Sequence, residues 1–448
     1  MDPASQALVE MSQGDDPFRY SSAELAPLHL EAAAAMVAER LEQVPILRRR
    51  ATEAGVGPIT RKSDLVPLLF PHTTYKSYPA AFVAKKRWKD LARWLTTLSC
   101  ADLTTVDFDG VSDEDEWVER LRADGHHVLA TSGTTGKCSF LRHSAQDLTR
   151  KVRTFERLLG WPFARADRTR GFFWVGPHVG VNSACDAANI GARLWSTEAD
   201  SHFLTEERLR LTDISAMAAM RRAMADGTAT PGEVAAFERD QQAHGDGVNQ
   251  HIDAFVDMLL ERRHDKLTLS GTWGQHMLIM QRARARGIAD GDFNPQTIVS
   301  AGGGIKNVPL PPDYKDQVAA FYGDVIRTGM YGMTETFQLM PRCEQLRYHI
   351  PPALLPLVLD STGETLYNTE DQAAGIIEGR FAFVDFSIAG RWSGTITSDR
   401  VQLDTSPHCP CGRPGPTVLD AITRYATDDD SIGCAGTIDS YIRGALEA

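Results

Sequence analysis

No stretch of this 448-residue sequence approaches the ~18 consecutive apolar residues that a membrane-spanning helix needs. The longest apolar runs, such as residues 353–359, are short and broken by proline. A membrane is therefore not an expected partner. Positive charge is in deficit, with 47 Lys and Arg against 59 Asp and Glu, a formal net charge of −12. Proteins that hold nucleic acid do so largely by neutralising phosphates with Lys and Arg, so no nucleic-acid partner is expected. A small anion in one local site stays compatible with this balance. Cysteine is scarce and odd in number, seven spread over the chain. That argues against a disulfide framework and for a reducing, cytoplasmic setting. The N-terminus is acidic and polar, without the basic and apolar regions of a secretory signal. Internal repeats and low-complexity linkers are also missing.

Present in ordinary amounts are hydrophobic residues (42%) and charged residues (24%), which predict a packed core. The length allows two or three domains or one large α/β unit. Residues 1–20 read as polar and loosely ordered. A helix is expected from a Ser21/Ser22 cap through Leu41, and a second helical stretch over about 80–99, where Phe82, Trp88, Leu91, Trp94 and Leu95 recur at helical spacing. Its Lys85-Lys86-Arg87 cluster is either a solvated face or an anion attractor. The acidic run 113–116 reads as a surface loop or a helix start. From about 126, β-like runs at 127–130, 171–175, 267–269 and 297–299 alternate with helical stretches at 204–224, 232–264 and 275–286, which predicts an α/β sheet. Residues 374–403 are strand-rich and look antiparallel. The expected divisions are a helical part at 1–110, a core at 111–373, a β-rich subdomain at 374–423 and a tail at 424–448.

Chemistry concentrates first in Thr131, Ser132, Gly133, Thr134, Thr135, Gly136 and Lys137, directly after a strand-like run. Small residues let the backbone approach a ligand, successive N–H groups can form an anion cradle, and Lys137 adds positive charge. Polyphosphate is the natural guest. The P-loop pattern G-x-x-x-x-G-K-[ST] fails twice, because Thr131 stands at the first glycine and Cys138 follows the lysine. A loop with no ligand is the remaining alternative for the segment alone. Three later segments follow in order: 300–304 (Ser-Ala-Gly-Gly-Gly), 331–336 (Tyr-Gly-Met-Thr-Glu-Thr) and 397–399 (Thr-Ser-Asp). Together with 131–137 they resemble the adenylate-forming superfamily, which includes acyl-CoA synthetases, peptide-synthetase adenylation domains and firefly luciferase.

That resemblance implies a large α/β adenylate-forming domain with mixed sheets and helices, a small β-rich subdomain, and a C-terminal domain reduced to a short tail. It implies ATP and Mg²⁺ as cofactors and a carboxylic acid as substrate. The 131–137 loop would cradle the β- and γ-phosphates, and Gly302, Gly303 and Gly304 would lie beside adenine and the acyl group. Tyr331 would lie against adenine, Thr334 would bond the α-phosphate, Glu335 would bind Mg²⁺, and Asp399 would hold the ribose hydroxyls. The arginine that usually follows that aspartate would be Arg413 or Arg424. His178 falls where related enzymes place an aromatic or histidine near the carboxylate; the alternative is a histidine hydrogen-bonded within the fold. Trp174, Trp273 and Met330 either line an acyl pocket or belong to the core.

Cys343, His349, Cys409 and Cys411 make a set of three thiolates and one imidazole, suited to a tetrahedral structural zinc. The spacing is not the usual C-x₂-C pair, and free thiols or a disulfide are the alternatives. The set resembles the C-x-C-G-R element of phenylacetate-CoA-ligase-like proteins. Residues 422–425 resemble the approach to the family's hinge. The tail at 431–446 reads as one strand and one short helix, and it contains no lysine to match the catalytic lysine of the family's C-terminal domain. With Leu68-Leu69-Phe70-Pro71, the short tail is similar to the acyl-protein synthetase branch of bacterial bioluminescence. The expected activity is formation of an aryl- or acyl-adenylate, followed by transfer to a thiol (CoA, an acyl carrier or a partner protein) or to an amine. The alternative is a nucleotide- or acyl-adenylate-binding partner protein that does not adenylate.

Overall fold

A computed structural model describes residues 1–131, 137–303 and 310–425, side chains of residues 222 and 240–246 excepted. The described chain divides into two compact units. The first contains Met1–Leu129, Ser139–Arg165 and the chain from Met330 onward; the second contains Ala130–Cys138 and Ala166–Gly329.

A seven-stranded, mostly antiparallel sheet organises the first unit. Its centre is the strand Gly394–Asp404, flanked by Ile376–Asp385 and Thr417–Leu419, with Leu354–Leu359 and Arg347–His349 outside these. Phe70–Pro71 adds in parallel and Thr423–Arg424 antiparallel to the central strand. Residues 353–359 are almost all apolar because this strand is covered on both faces. Leu355, Leu357 and Leu359 point with Ala382 and Val384 into one core, while Leu354 and Val358 join Phe381 and Phe383 in another. This is the period-two alternation of a strand, with both faces apolar. Pro356 lacks an N–H to donate, and Leu354–Leu359 is a terminal strand of the sheet order, where such a residue is tolerated. Asn368 braces this strand, accepting from Val358 N at 2.8 Å and donating to Pro356 O at 3.0 Å.

The first core is closed by N-terminal helices. Residues 1–20 are not loosely ordered as expected. Pro3–Ser12 is a helix whose N-cap Asp2 accepts from Ser5 N at 2.9 Å, with Leu8 and Val9 buried in the same core as the helix Ser22–Gln43. The polar composition concealed one apolar face. The expected cap at Ser21 is present as a capping box with Glu24. The helical stretch over 80–99 is two helices, Ala80–Ala84 and Trp88–Thr97, interrupted where Lys86 adopts a left-handed φ of 53°. The acidic run is a helix start: Asp113 caps Glu114–Ala123, and Glu114 and Asp115 are buried.

The second unit is built on a five-stranded parallel sheet in the order Ser201–Thr205, Gly171–Pro177, Leu267–Thr272, Ile298–Gly302, Ile326–Thr328. Helices link these strands, as parallel pairing requires crossovers. The stretch expected to be helical over 204–224 begins as strand; its helix is Leu211–Ala225. Phe173, Leu269, Val299, Val256, Ile279 and Phe321 pack between sheet and helices. Because the strands are parallel, His178, Trp273 and Gly303 each follow the carboxyl end of neighbouring strands at one edge of the sheet. In open α/β sheets that edge is where ligands bind.

Candidate functional site

The first unit brings Tyr331 and Arg424 onto Asp399, and carries Thr334 and Glu335 on the turn that follows Tyr331. Met330–Tyr331 pairs with Met340–Pro341, so residues 332–339 form the turn of a short hairpin that carries Thr334 and Glu335. Two buried groups hold this turn. Asp385 accepts from Thr336 Oγ1 at 2.7 Å and from Phe337 N at 2.8 Å, and Arg391 Nη2 donates to the Glu335 carbonyl at 2.6 Å. A Cβ at Gly332 would stand 2.9 Å from Leu339 Cδ2, so a larger residue there would displace that side chain. Asp399 and Arg424 are direct partners across antiparallel strands, so their side chains share a face; Arg424 Nε lies 3.0 Å from Asp399 Oδ1. Tyr331 donates its hydroxyl to Asp399 Oδ2 at 2.8 Å. Burial pushes the Glu335 carboxyl up, opposed by the Arg391 and Arg424 guanidiniums. Burial, reinforced by Asp399, holds the Tyr331 phenol well above its ordinary value.

Between the two arginines left open, Arg424 is the one at Asp399. Arg413 is engaged elsewhere, with Glu344 at 3.2 Å and over the Trp161 ring at 4.6 Å.

In the second unit, Thr131 is buried at the end of its strand and Lys137 is half-buried, while Ser132, Gly133, Thr134, Thr135 and Gly136 lie outside the described residues. Gly302 ends its strand, Gly303 takes a left-handed φ of 77°, and Gly304 also lies outside the described residues. His178 is tied into the fold. Its Nε2 lies 2.6 Å from Glu206 Oε2, its Nδ1 3.3 Å from Asn189 Oδ1, and its ring stacks on Phe203 at 3.7 Å. Trp273 packs edge-on to Tyr314 at 5.4 Å, and Trp174 packs against the core of this unit.

The four cysteine and histidine ligand atoms converge in the first unit. Cys343 Sγ, His349 Nε2, Cys409 Sγ and Cys411 Sγ all lie within 4.8 Å of one another. Cys343 and Cys409 sulfurs are 3.9 Å apart, and Cys411 Sγ is 3.4 Å from His349 Nε2. A disulfide is excluded for that pair, since its sulfurs would be about 2.05 Å apart. Tetrahedral zinc with three thiolates and one imidazole has S···S edges of about 3.8 Å and S···N edges of about 3.6 Å. The 3.9 Å and 3.4 Å separations lie near these edges, within a set whose atoms lie up to 4.8 Å apart. Each thiol-bearing loop is a tight turn: Leu346 (φ 54°) follows Cys343, and Gly412 (φ 89°) follows Cys411. Phe18 and Trp161 pack edge-on to His349 at 5.3 and 5.1 Å, and burial keeps that imidazole neutral by lowering its pKa to about 4.

No family model matches the sequence, and no curated relative matches it. Solved structures do match. 2-Hydroxyisobutyryl-CoA ligase in an open conformation, in complex with 2-HIB-AMP and CoA, superposes with a TM-score of 0.55 at 13% identity, covering 92% of this chain and 79% of that one. The same enzyme in its thioesterification state gives 0.57 at 14% identity, covering 92% and 70%. The chain has the adenylate-forming ligase fold. The similarity is one of fold, carried over nearly the whole chain.

Within this adenylate-forming fold, four supporting residues were not marked by any motif: Arg391, Asp385, Glu206 and Asn189. Asp385 ends a strand and Arg391 follows it, and both become conspicuous only as buried charges. A cavity of about 570 Å³ also lies in the first unit, lined among others by Ala26, His29, Lys62, Leu354 and Glu370. None of the motif residues lines it. Volume alone makes such a cavity the default site, but the chemistry gathered at Tyr331, Glu335 and Asp399 outweighs it.

Proposed function

We propose that this protein uses ATP to activate a carboxylic acid as its acyl-adenylate, releases pyrophosphate, and passes the acyl group to a thiol, with coenzyme A the first candidate acceptor. The observation that carries this reading is that Tyr331 and Arg424 meet on Asp399, with Thr334 and Glu335 on the turn that follows Tyr331, in a chain with the adenylate-forming ligase fold. A carboxylate is a poor electrophile because its oxygen leaves poorly. Attack of its oxygen on the α-phosphorus forms an O–P bond, and the P–O bond to pyrophosphate breaks. The thiol sulfur then attacks the acyl carbon, AMP leaves with the bonding electrons, and the thiol proton passes to solvent. A carrier or partner-protein thiol, or an amine, is chemically equivalent as acceptor.

The catalyst's work here is positioning and charge neutralisation. In this reading Thr334 donates to an α-phosphate oxygen, and Asp399 accepts from ribose hydroxyls through lone pairs that Tyr331 and Arg424 leave free. The Tyr331 ring lies beside adenine. Residues 131–137 hold the phosphates through backbone N–H groups and Lys137, Gly302, Gly303 and Gly304 let the chain approach the nucleotide, and His178 orients the acid. Glu335 fits Mg²⁺, a hard cation that takes carboxylate and phosphate oxygens, and a cation beside this buried carboxyl offsets the burial that pushes its pKa up. Bound there, Mg²⁺ would neutralise phosphate charge. Zinc, held by Cys343, His349, Cys409 and Cys411, would be a closed structural site joining two distant segments. Incubation with ATP, Mg²⁺ and a panel of aryl and acyl acids tests the reading. Acid-dependent pyrophosphate release supports it, and no release with any acid opposes it.

A further inference from the structure

Resting on that reading, we infer that Arg391 is a positioning residue for nucleotide binding, acting through the backbone of Glu335. Arg391 is 1% exposed, and among the described residues no carboxylate forms an ion pair with it. A buried, unpaired guanidinium is costly to keep, and its hydrogen bonds tell what it is kept for. Nη2 donates to the Glu335 carbonyl at 2.6 Å, its shortest bond. Nη1 donates to Tyr75 Oη at 3.0 Å and to the Trp392 carbonyl at 2.9 Å, and the guanidinium lies over the Tyr75 ring at 5.1 Å. Nε has no partner.

The anchor behind Arg391 is rigid. Tyr75 donates to Trp392 O at 3.0 Å, and the Trp392 indole donates to Leu68 O at 2.9 Å. On the other side, the buried Asp147 accepts from Ala389 N and Gly390 N, both at 2.8 Å, while capping the helix Ala145–Leu158. Arg391 thus transmits the position of a fixed loop to one peptide plane, that between Glu335 and Thr336. Asp385 fixes the next two residues. These bonds fix the backbone from the Glu335 carbonyl onward before nucleotide binds, which is preorganisation of the turn that carries Glu335 and the adjacent Thr334. A lysine could reach one of these acceptors but cannot fork between the Glu335 carbonyl and Tyr75.

Calorimetry of ATP binding, with and without Mg²⁺, on the full chain tests this with Arg391→Lys and Arg391→Gln. Melting temperature serves as the folding control, and kcat is measured separately from KM. Arg391→Lys is expected to weaken ATP binding in the presence of Mg²⁺ about tenfold and Arg391→Gln more, with a smaller loss without the metal, where only the Thr334 contact is displaced. A lower melting temperature with unchanged affinity in the folded protein would mean a merely structural role and would overturn the inference. If neither variant folds, Tyr75→Phe, which keeps the ring and removes one Arg391 partner, decides. An affinity about threefold weaker supports the inference, and wild-type affinity contradicts it. Wild-type protein that binds no ATP at all would instead remove the proposed function itself.

Discussion

Tyr331 donates its hydroxyl to Asp399 across 68 residues of sequence, at 2.8 Å and largely buried. The same carboxylate faces Arg424 on the neighbouring strand. The bond links two of the segments that carry the family resemblance, and it leaves Asp399 with lone pairs still to offer. Asp399→Asn keeps the shape and loses the charge, so ATP affinity measured by calorimetry should fall about tenfold. Tyr331→Phe keeps the ring and should cost only about 1 kcal/mol of stability with a smaller loss of affinity. Equal, wild-type affinity in Asp399→Asn would remove this residue from the nucleotide site.

Glu335→Gln separates stability from activity. The carboxyl is buried and its pKa is raised, so a neutral isostere should melt no lower than wild type. Mg²⁺-dependent turnover should fall by on the order of a hundredfold, since a cation ligand is lost where phosphate charge is handled. A fall in melting temperature with turnover intact would reverse the assignment.

Metal content is directly measurable. Elemental analysis of protein purified without added metal should find one zinc per chain, and Cys409→Ser or Cys411→Ser should lose it. Chelation should lower the melting temperature, because the cluster joins residues 343–349 to 409–411. Protein free of zinc and unaffected by chelator would leave four neighbouring but unliganded side chains.

Acid stability should carry the signature of His29. This imidazole is buried, Nε2 lies 2.7 Å from the Pro352 carbonyl, and burial lowers its pKa to about 4 against an ordinary 6.5. The folded form therefore holds it neutral. Its stabilising effect is complete above pH 6.5 and is lost as pH falls from 6.5 towards 4, because the unfolded chain takes the proton first. The full shift corresponds to about 3 kcal/mol. His29→Gln, which keeps a donor for Pro352, should flatten that part of the urea-midpoint profile against pH. An unchanged profile would assign the acid loss to other groups.

Much of this was legible in the residues, for physical reasons that differ by element. The α/β sheet announced itself through short apolar runs between helical stretches, and the Ser21/Ser22 cap, whose Glu24 partner came from the structure, through the apolar helical repeat it precedes. Helix Pro3–Ser12 did not, because Ala4, Leu8 and Val9 are too few to lift a polar composition, yet they suffice to bury one face. Spacing alone could not choose between Arg413 and Arg424; the pairing of strands chose, by placing Arg424 opposite Asp399. The cysteine set was visible as residue types, but only the fold brings 343–349 beside 409–411. Arg391 and Asp385 were illegible, since a charged residue reads as solvated until its burial is known.

The most direct measurement of the central claim is pyrophosphate–ATP exchange in the presence of Mg²⁺ across a broad panel of aryl and acyl acids. The account predicts exchange that depends on a particular acid and collapses in Glu335→Gln. Exchange with no acid in the panel, from protein that is folded and binds ATP, would contradict it.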